Sequence, residues 1–405
     1  MLNTFLSFWH GDVLVWSELV LLGVITIGTV LTLCTSRPTR KQMIIGSLSV
    51  LATAAMILAD NLIVIGGAYT VLLGCAAFVL YRTYASMSKK HKTILFTLSG
   101  VAFILFAASL ILNVLAGMHS SLWWQEAVSM KQLLSNASAA SAQGDLRRYG
   151  FLLAGAGFVI SFPIFLAKTR VSSFFATIVP VVLFINILRL KQIADATLLD
   201  DGALTNKIFL GFGITVLVAI ALKFIIKKGR VQLLSLSGLE HLGLAAFMVG
   251  AGPAGMIPAL FHLGGQAVGH SGLWYSTRDV EGLRSNQVIK WLTIALFASL
   301  LAVPFSVTFV SELIGIGYSL QAHLALGLVA FVAMIIFTVS IVRAVMKLLA
   351  ASSNGAELAK TTKKQKILIV VLAIHVLAMF GVGGYLLTQQ GIQFAVSVAQ
   401  TISSL

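Results

Sequence analysis

The chain has 405 residues, of which 58% are hydrophobic and only 10% charged, and its mean hydropathy is +0.98. Soluble domains carry about 25% charged residues, so this composition excludes a water-soluble protein, and the length is filled instead by a membrane bundle. The excess of 28 Lys and Arg over 13 Asp and Glu gives a formal net charge of +15, which in a membrane chain becomes a question of the side on which the positive charges sit.

A helix that crosses the hydrocarbon needs about 20 mostly apolar residues. Runs of that kind lie at 13–34, 43–59, 62–81, 93–117, 149–167, 171–190, 207–226, 231–251, 254–275, 288–311, 320–346 and 367–388. They predict an all-α polytopic membrane protein with about twelve transmembrane helices, organised as a single transmembrane domain over 1–405. The N-terminal helix belongs to 1–42; it is too long for a signal peptide and has no small-residue cleavage site, which predicts a retained helix. A first half follows over 43–190, a second over 207–346, and a C-terminal helix within 367–405. One stretch interrupts the pattern. Ser120 to Arg148 is polar, with Trp123 and Trp124 beside Glu126 and Lys131, and is predicted as an amphipathic interfacial segment because tryptophan favours the headgroup region. Cys34 and Cys75 lie inside apolar runs without metal-type spacing and are expected to be packing residues.

Alternating the sides of these segments gathers most of the basic residues together. Arg37, Arg40 and Lys41 fall on one side, with Arg82, Lys89, Lys90 and Lys92, with Lys168 and Arg170, and with Lys223, Lys227, Lys228 and Arg230. Arg278, Arg284, Lys290 and the group from Arg343 to Lys366 join them. The other side receives Lys131, Arg147, Arg148, Arg189, Lys191 and Lys207, mixed with Glu126, Asp145, Asp195, Asp200 and Asp201. The positive-inside rule then places the basic loops in the cytoplasm and both termini outside, in a cell inner (plasma) membrane.

Ionisable side chains deep in a bilayer cost at least about 2.5–3.5 kcal/mol each on insertion scales and mark ion paths. Few occur here. Glu240 and His241 sit about ten residues into the 231–251 segment. His262 and His270 lie eight residues apart on the next one, which brings them and Gln266 onto one helical face. Glu312 closes the stretch from Pro304, where the proline is expected to interrupt a long helix and leave backbone groups to line a cavity. Each of these has a plainer reading: a packing histidine for His262, or a carboxylate just outside the membrane for Glu312. Glu240 and His241, being consecutive, are expected to point to different faces. His262, His270 and Glu240 have no ligand-rich spacing, and no metal or cofactor site is expected. The glycine-rich Gly250-Ala-Gly252-Pro253-Ala-Gly255 reads as small residues for close helix packing. Neither a phosphate loop nor a nucleophile motif is present, so no catalytic site is expected on this chain.

These motifs carry a resemblance. Leu236-Ser237-Gly238-Leu239-Glu240-His241-Leu242-Gly243 resembles the Tyr-Ser-Ser-Ile-Glu-His-Met-Gly signature of the antiporter-like membrane subunits found in respiratory complex I, Mrp-type antiporters and membrane-bound hydrogenases. Its Glu-His form is most similar to hydrogenase-4 component F. The helix from Ala259 through His262, Gln266 and His270 to Ser271 resembles a family helix with two histidines and a lysine, and Pro304 to Ser311-Glu312 resembles the family's broken helix ending in Phe-x-Ser-Glu. Asp60-Asn61-Leu62 and Val171 to Arg189 resemble it more weakly.

The resemblance implies two inverted repeats, each with a broken helix, here marked by Pro163 and Pro304. It also implies a proton relay of buried lysine, glutamate and histidine. Glu240, His241, His262, His270 and Glu312 take those places in the second half, with His270 standing where the family has a lysine and Gln266 where it has a histidine. A histidine titrates near about pH 6.5 and can both accept and donate. In the first half the family's glutamate and lysine fall near Thr70 and Phe158, so that half is expected to be electrically silent. The implied function is proton translocation or coupling within a larger respiratory or hydrogenase-type oxidoreductase complex, with other membrane subunits and a peripheral protein as partners. The alternatives are a non-transporting scaffold subunit, or the membrane half of an inorganic-carbon uptake system by fold-level analogy.

Overall fold

A computed structural model describes residues 40–59, 61–83, 89–119, 127, 129, 132–133, 144–165, 179–195, 203–226, 230–278, 286–350 and 362–393. The expected first segment, 13–34, lies outside them, as does most of the tryptophan-bearing stretch. The described residues are helical almost throughout: α1 (Arg40–Leu58), α2 (Leu62–Thr83), α3 (Lys89–His119), α4 (Gly144–Phe165), α5 (Val179–Asp195), α6 (Ala203–Ile226), α7 (Arg230–Gly250), α8 (Met256–Arg278), α9 (Gln287–Leu300), α10 (Val307–Ala322), α11 (Leu324–Ala350) and α12 (Lys363–Leu386). A single 3₁₀ turn, Pro253–Gly255, joins α7 to α8. Each apolar run from 43–59 onward contains a helix. Among the described residues, four stretches are long and apolar enough to cross a membrane by themselves, Thr93–Met118, Ala203–Ile225, Leu324–Arg343 and Gln365–Leu386.

Two compact units divide these helices, with the boundary in the first turn of α6, between Thr205 and Asn206. In the first unit α3 and α4 pack along each other, and α5 lies against α1 and α4. Tyr69 on α2 stacks obliquely on Phe106 of α3, ring centroids 4.4 Å apart. Several residues expected in loops belong to helix ends. Arg147 is fully buried in the first turn of α4, a helix that starts inside the expected interfacial segment, and its Nη1 donates to the Leu133 carbonyl at 3.3 Å. Lys191 is buried at the end of α5, where it pairs with Asp195. Arg189 on the same helix donates to the Ile57 carbonyl at 3.4 Å. Helices thus run on past the point where charge ends the apolar run. At the expected first break, α4 continues through Pro163 to Phe165, and residues 166–178 lie outside the described set.

The second unit has an inside and an outside. No large hydrophobic side chain of α7 or α8 is exposed among the described residues, whereas α6 exposes Leu222 and Ile225, α11 exposes Leu324 and Leu328, and α12 exposes Leu377. An apolar outer face suits lipid, and the polar residues of α7, α8 and α10 are held behind it. Local sequence fixes the ends of several of these helices. Asn286 caps α9, accepting from the backbone N–H of Val288 at 3.0 Å and Ile289 at 3.2 Å, and Thr362 with Gln365 forms a capping box on α12.

The 288–311 run is two helices, with a break over residues 301–306 around Pro304. In hydrocarbon the backbone groups freed by a break need partners from the protein. Ser306 caps α10 by accepting from the Phe309 N–H at 3.1 Å, the hydroxyl of Thr308 donates to the Ser299 carbonyl, and the Ser306 N–H donates to the Val303 carbonyl at 3.1 Å. The proline thus interrupts the helix as expected, and part of the freed backbone is taken up locally. The chain bends there at a cost: Ala302 and Phe305 have φ of 52° and 70°, a left-handed conformation that costs non-glycine residues on the order of 1–3 kcal/mol each. Gly383 of α12 holds the bend in place, since a Cβ there would lie 2.3 Å from the Phe305 carbonyl oxygen.

A valine at Gly383 meets backbone that cannot step aside, so Gly383→Val is expected to lower stability by about 1–3 kcal/mol. Gly381→Val, where nothing lies within 4 Å, is expected to be neutral, and the thermal unfolding midpoints of the two purified variants in detergent compare them directly. Ser306→Ala removes the cap of α10 and is expected to cost about 1 kcal/mol in the same measurement.

Candidate proton-relay site

Helices α7 and α8 are joined by the short turn at Pro253 and run antiparallel, so partner numbers fall along α7 as they rise along α8. His262 Nε2 lies 2.8 Å from His241 Nδ1, Gln266 Nε2 donates to the Gly238 carbonyl at 3.0 Å, and His270 Nε2 lies 3.0 Å from Ser237 Oγ. The four-residue spacing of His262, Gln266 and His270 therefore does place all three against α7. His262, Gln266 and His241 are fully buried and His270 nearly so. The His241 and His270 rings meet almost edge-on, with centroids 5.6 Å apart, and Phe337 of α11 covers His241 at a further 5.6 Å.

Helix α10 closes the cluster. Its break sets the helix start at Val307, so that Ser311 and Glu312 arrive on the second turn facing α8. Ser311 Oγ lies 3.2 Å from His262 Nδ1, and Glu312 Oε1 lies 3.9 Å from the same nitrogen. Glu312 is 9% exposed and sits within a helix, so it is an interior carboxylate and not one just outside the membrane. Glu240 departs from expectation too. Although consecutive residues on a helix point about 100° apart, its Oε2 comes within 3.4 Å of His241 Nδ1.

One set of tautomers satisfies these contacts together. Ser311 donates its hydroxyl to the Thr308 carbonyl at 2.9 Å, so its oxygen accepts from His262 Nδ1–H. His262 Nε2 is then bare and accepts from His241 Nδ1–H. The result is one directional line, His241 to His262 to Ser311 to the Thr308 carbonyl. At its head His241 Nε2 has no partner, and Gln266 Oε1 and both Glu240 oxygens likewise lack one. Each of the four can accept a hydrogen bond, and a protonated Glu240 carboxyl would also have one to give.

Such a line can pass a proton without moving a heavy atom far. A proton taken up at His241 Nε2 releases the one on Nδ1 to His262, whose Nδ1 proton passes on toward Ser311 and Glu312. His241, His262 and Glu312 also present donor atoms within 4.8 Å of one another, but His241 and His262 spend their facing nitrogens on each other, and a cation would have to break that 2.8 Å bond.

Sequence reasoning missed three members of this neighbourhood. Ser237 and Ser311 fall within the motifs but carry no charge to draw attention. His375, which is 3% exposed on α12, is the one ionisable residue in the middle of an otherwise apolar span, and that isolation was the available signal. Lys290, expected in a basic loop, is buried in the first turn of α9.

Neither a protein-family model nor the sequence of a curated protein matches the chain. Its fold does match solved structures. A chain of the Mrp complex from Dietzia sp. superposes with a TM-score of 0.71 at 13% identity, covering 97% of this chain and 83% of that one. A chain of respiratory complex I from Thermus thermophilus gives 0.69 at 18% identity, covering 94% and 83%. A chain of the archaeal membrane-bound sulfane sulfur reductase, a respiratory membrane complex, gives 0.72 at 13% identity, covering 89% and 74%. The protein is a multi-pass helical membrane protein with the antiporter-like fold shared by chains of these three assemblies, the fold that the motifs between 231 and 312 imply.

Proposed function

We propose that the chain is a proton-translocating membrane subunit of a respiratory-type complex, and that Glu240, His241, His262, His270 and Glu312 carry its protons. The observation that supports this most is the hydrogen-bonded line from His241 through His262 to Ser311, with Glu312 Oε1 3.9 Å from His262 Nδ1. His262 has a partner on each ring nitrogen, plus a carboxylate within reach, which is the requirement for taking a proton on one side and giving it up on the other. His270, with its ring near His241, feeds the head of the line.

The first unit takes no part in this relay. Thr70 donates its hydroxyl to the Gly66 carbonyl at 2.8 Å, and the buried cation Arg147 is a guanidinium, which does not give up its proton. That unit contributes scaffold. The partners proposed are other membrane subunits and a peripheral protein, most simply of the hydrogenase-4 kind that the Glu240-His241 pair resembles. The membrane is the plasma membrane, with the basic loops cytoplasmic and both termini outside.

Proton flux into vesicles holding the purified complex tests the reading. Glu312→Gln and His270→Ala are each expected to lower flux by on the order of tenfold or more. Ser311→Ala, which leaves Glu312 in reach of His262, is expected to lower it less. Unchanged flux in both Glu312→Gln and His270→Ala would leave a scaffold without transport. Metals that copurify identify the partner class, with iron and nickel expected and zinc pointing instead to an inorganic-carbon uptake partner.

A further inference from the structure

We propose that His375 and Ser271 form a second proton-exchanging station, on the flank of α8 that faces α12. This deepens the relay reading and rests on it. Consecutive helical residues point about 100° apart, and the pair His270 and Ser271 uses that angle: His270 faces α7 through Ser237, and Ser271 faces α12 through His375. The His375 ring is buried and partnered at both nitrogens, with Nδ1 2.8 Å from the Val371 carbonyl and Nε2 2.9 Å from Ser271 Oγ. Gly272 makes room for it, since a Cβ there would lie 3.3 Å from both Cβ and Cγ of the histidine.

Its partners suit two protonation states. A carbonyl only accepts, so in the neutral ring the hydrogen is on Nδ1 and is donated to Val371. Nε2 is then bare and accepts the Ser271 hydroxyl. When a proton arrives at Nε2, that N–H donates to Ser271 Oγ, and the serine hydrogen turns to the Val268 carbonyl, 2.9 Å away. Loss of the proton reverses the turn. Each state leaves every donor with an acceptor, and the switch needs only the rotation of one hydroxyl. A histidine serving packing alone has no use for the second arrangement. From the helices packed against α12, the other titratable groups among the described side chains are His262, His270 and Tyr275 on α8, the Tyr275 ring centroid being 6.2 Å from the imidazole, Lys290 on α9, and Tyr318 and Glu312 on α10, Glu312 being turned toward His262.

The test uses the intact complex in vesicles, with ¹⁵N-labelled histidine observed by solid-state NMR across roughly pH 5 to 9 and proton flux measured in parallel. The His375 signal is the one lost in His375→Gln, a variant that keeps a hydrogen-bonding side chain. It is expected to show both neutral and doubly protonated ring nitrogens over that range, and Ser271→Ala, which leaves the ring in place but removes its partner, is expected to shift the pH of the change. His375→Gln is expected to lower flux by on the order of tenfold. A His375 signal that stays in one neutral form at every pH, or wild-type flux in His375→Gln while Glu312→Gln abolishes it, overturns the proposal. If Glu312→Gln and His270→Ala leave flux unchanged, the relay itself fails, and the NMR titration still decides whether His375 exchanges protons.

Discussion

A polar group placed in hydrocarbon must find its partner inside the protein, because no water is there to supply one, and the second unit is arranged around that requirement. Its polar residues are concentrated on α7, α8 and α10, while α6, α11 and α12 turn apolar side chains outward. The break between α9 and α10 obeys the same rule. Ser306, Thr308 and the nearby carbonyls close on one another, and the saving in unpaired groups offsets two residues held in left-handed conformations. With the break fixed, α10 starts where Ser311 and Glu312 can meet His262.

Much of this was legible from residue order. Apolar runs of about 20 residues locate the helices because the bilayer sets a length, and the four-residue spacing of His262, Gln266 and His270 is a statement about one face that needs no tertiary information. Other features depended on neighbours in space. The apolar ruler stops at a charge, whereas the helix stops only when its backbone runs out of partners, so Arg147, Lys191 and Lys290 were assigned to loops though they are buried at helix ends. Glu312 likewise looked like the end of a run. Side-chain geometry also mattered: a step of about 100° separates the Glu240 and His241 Cβ atoms, yet the carboxylate still comes within 3.4 Å of the ring nitrogen. His375 stood out only once Ser271, 104 residues away, was found beside it.

The two units treat charge differently. In the first, the buried cations Arg147 and Lys191 sit in terminal turns and contact a carbonyl or a carboxylate close by. In the second, imidazoles and carboxylates are placed along the middle of helices. Similar folds at 13–18% identity show that the helical frame persists while most side chains change.

The lack of partners noted at His241 Nε2, Gln266 Oε1 and the Glu240 oxygens bears on ion selectivity. Hard metal cations are held by shells of oxygen ligands, and they gain little from imidazole nitrogen. A proton needs only one lone pair, and nitrogen is a better base for it than a carbonyl or hydroxyl oxygen. In the proposed relay the imidazole nitrogens of His241, His262 and His270 favour a proton, whereas Gln266 Oε1 and the Glu240 oxygens are the atoms a hard cation would seek. Exchanging its nitrogens for oxygens would be the route by which such a site turned from protons to sodium.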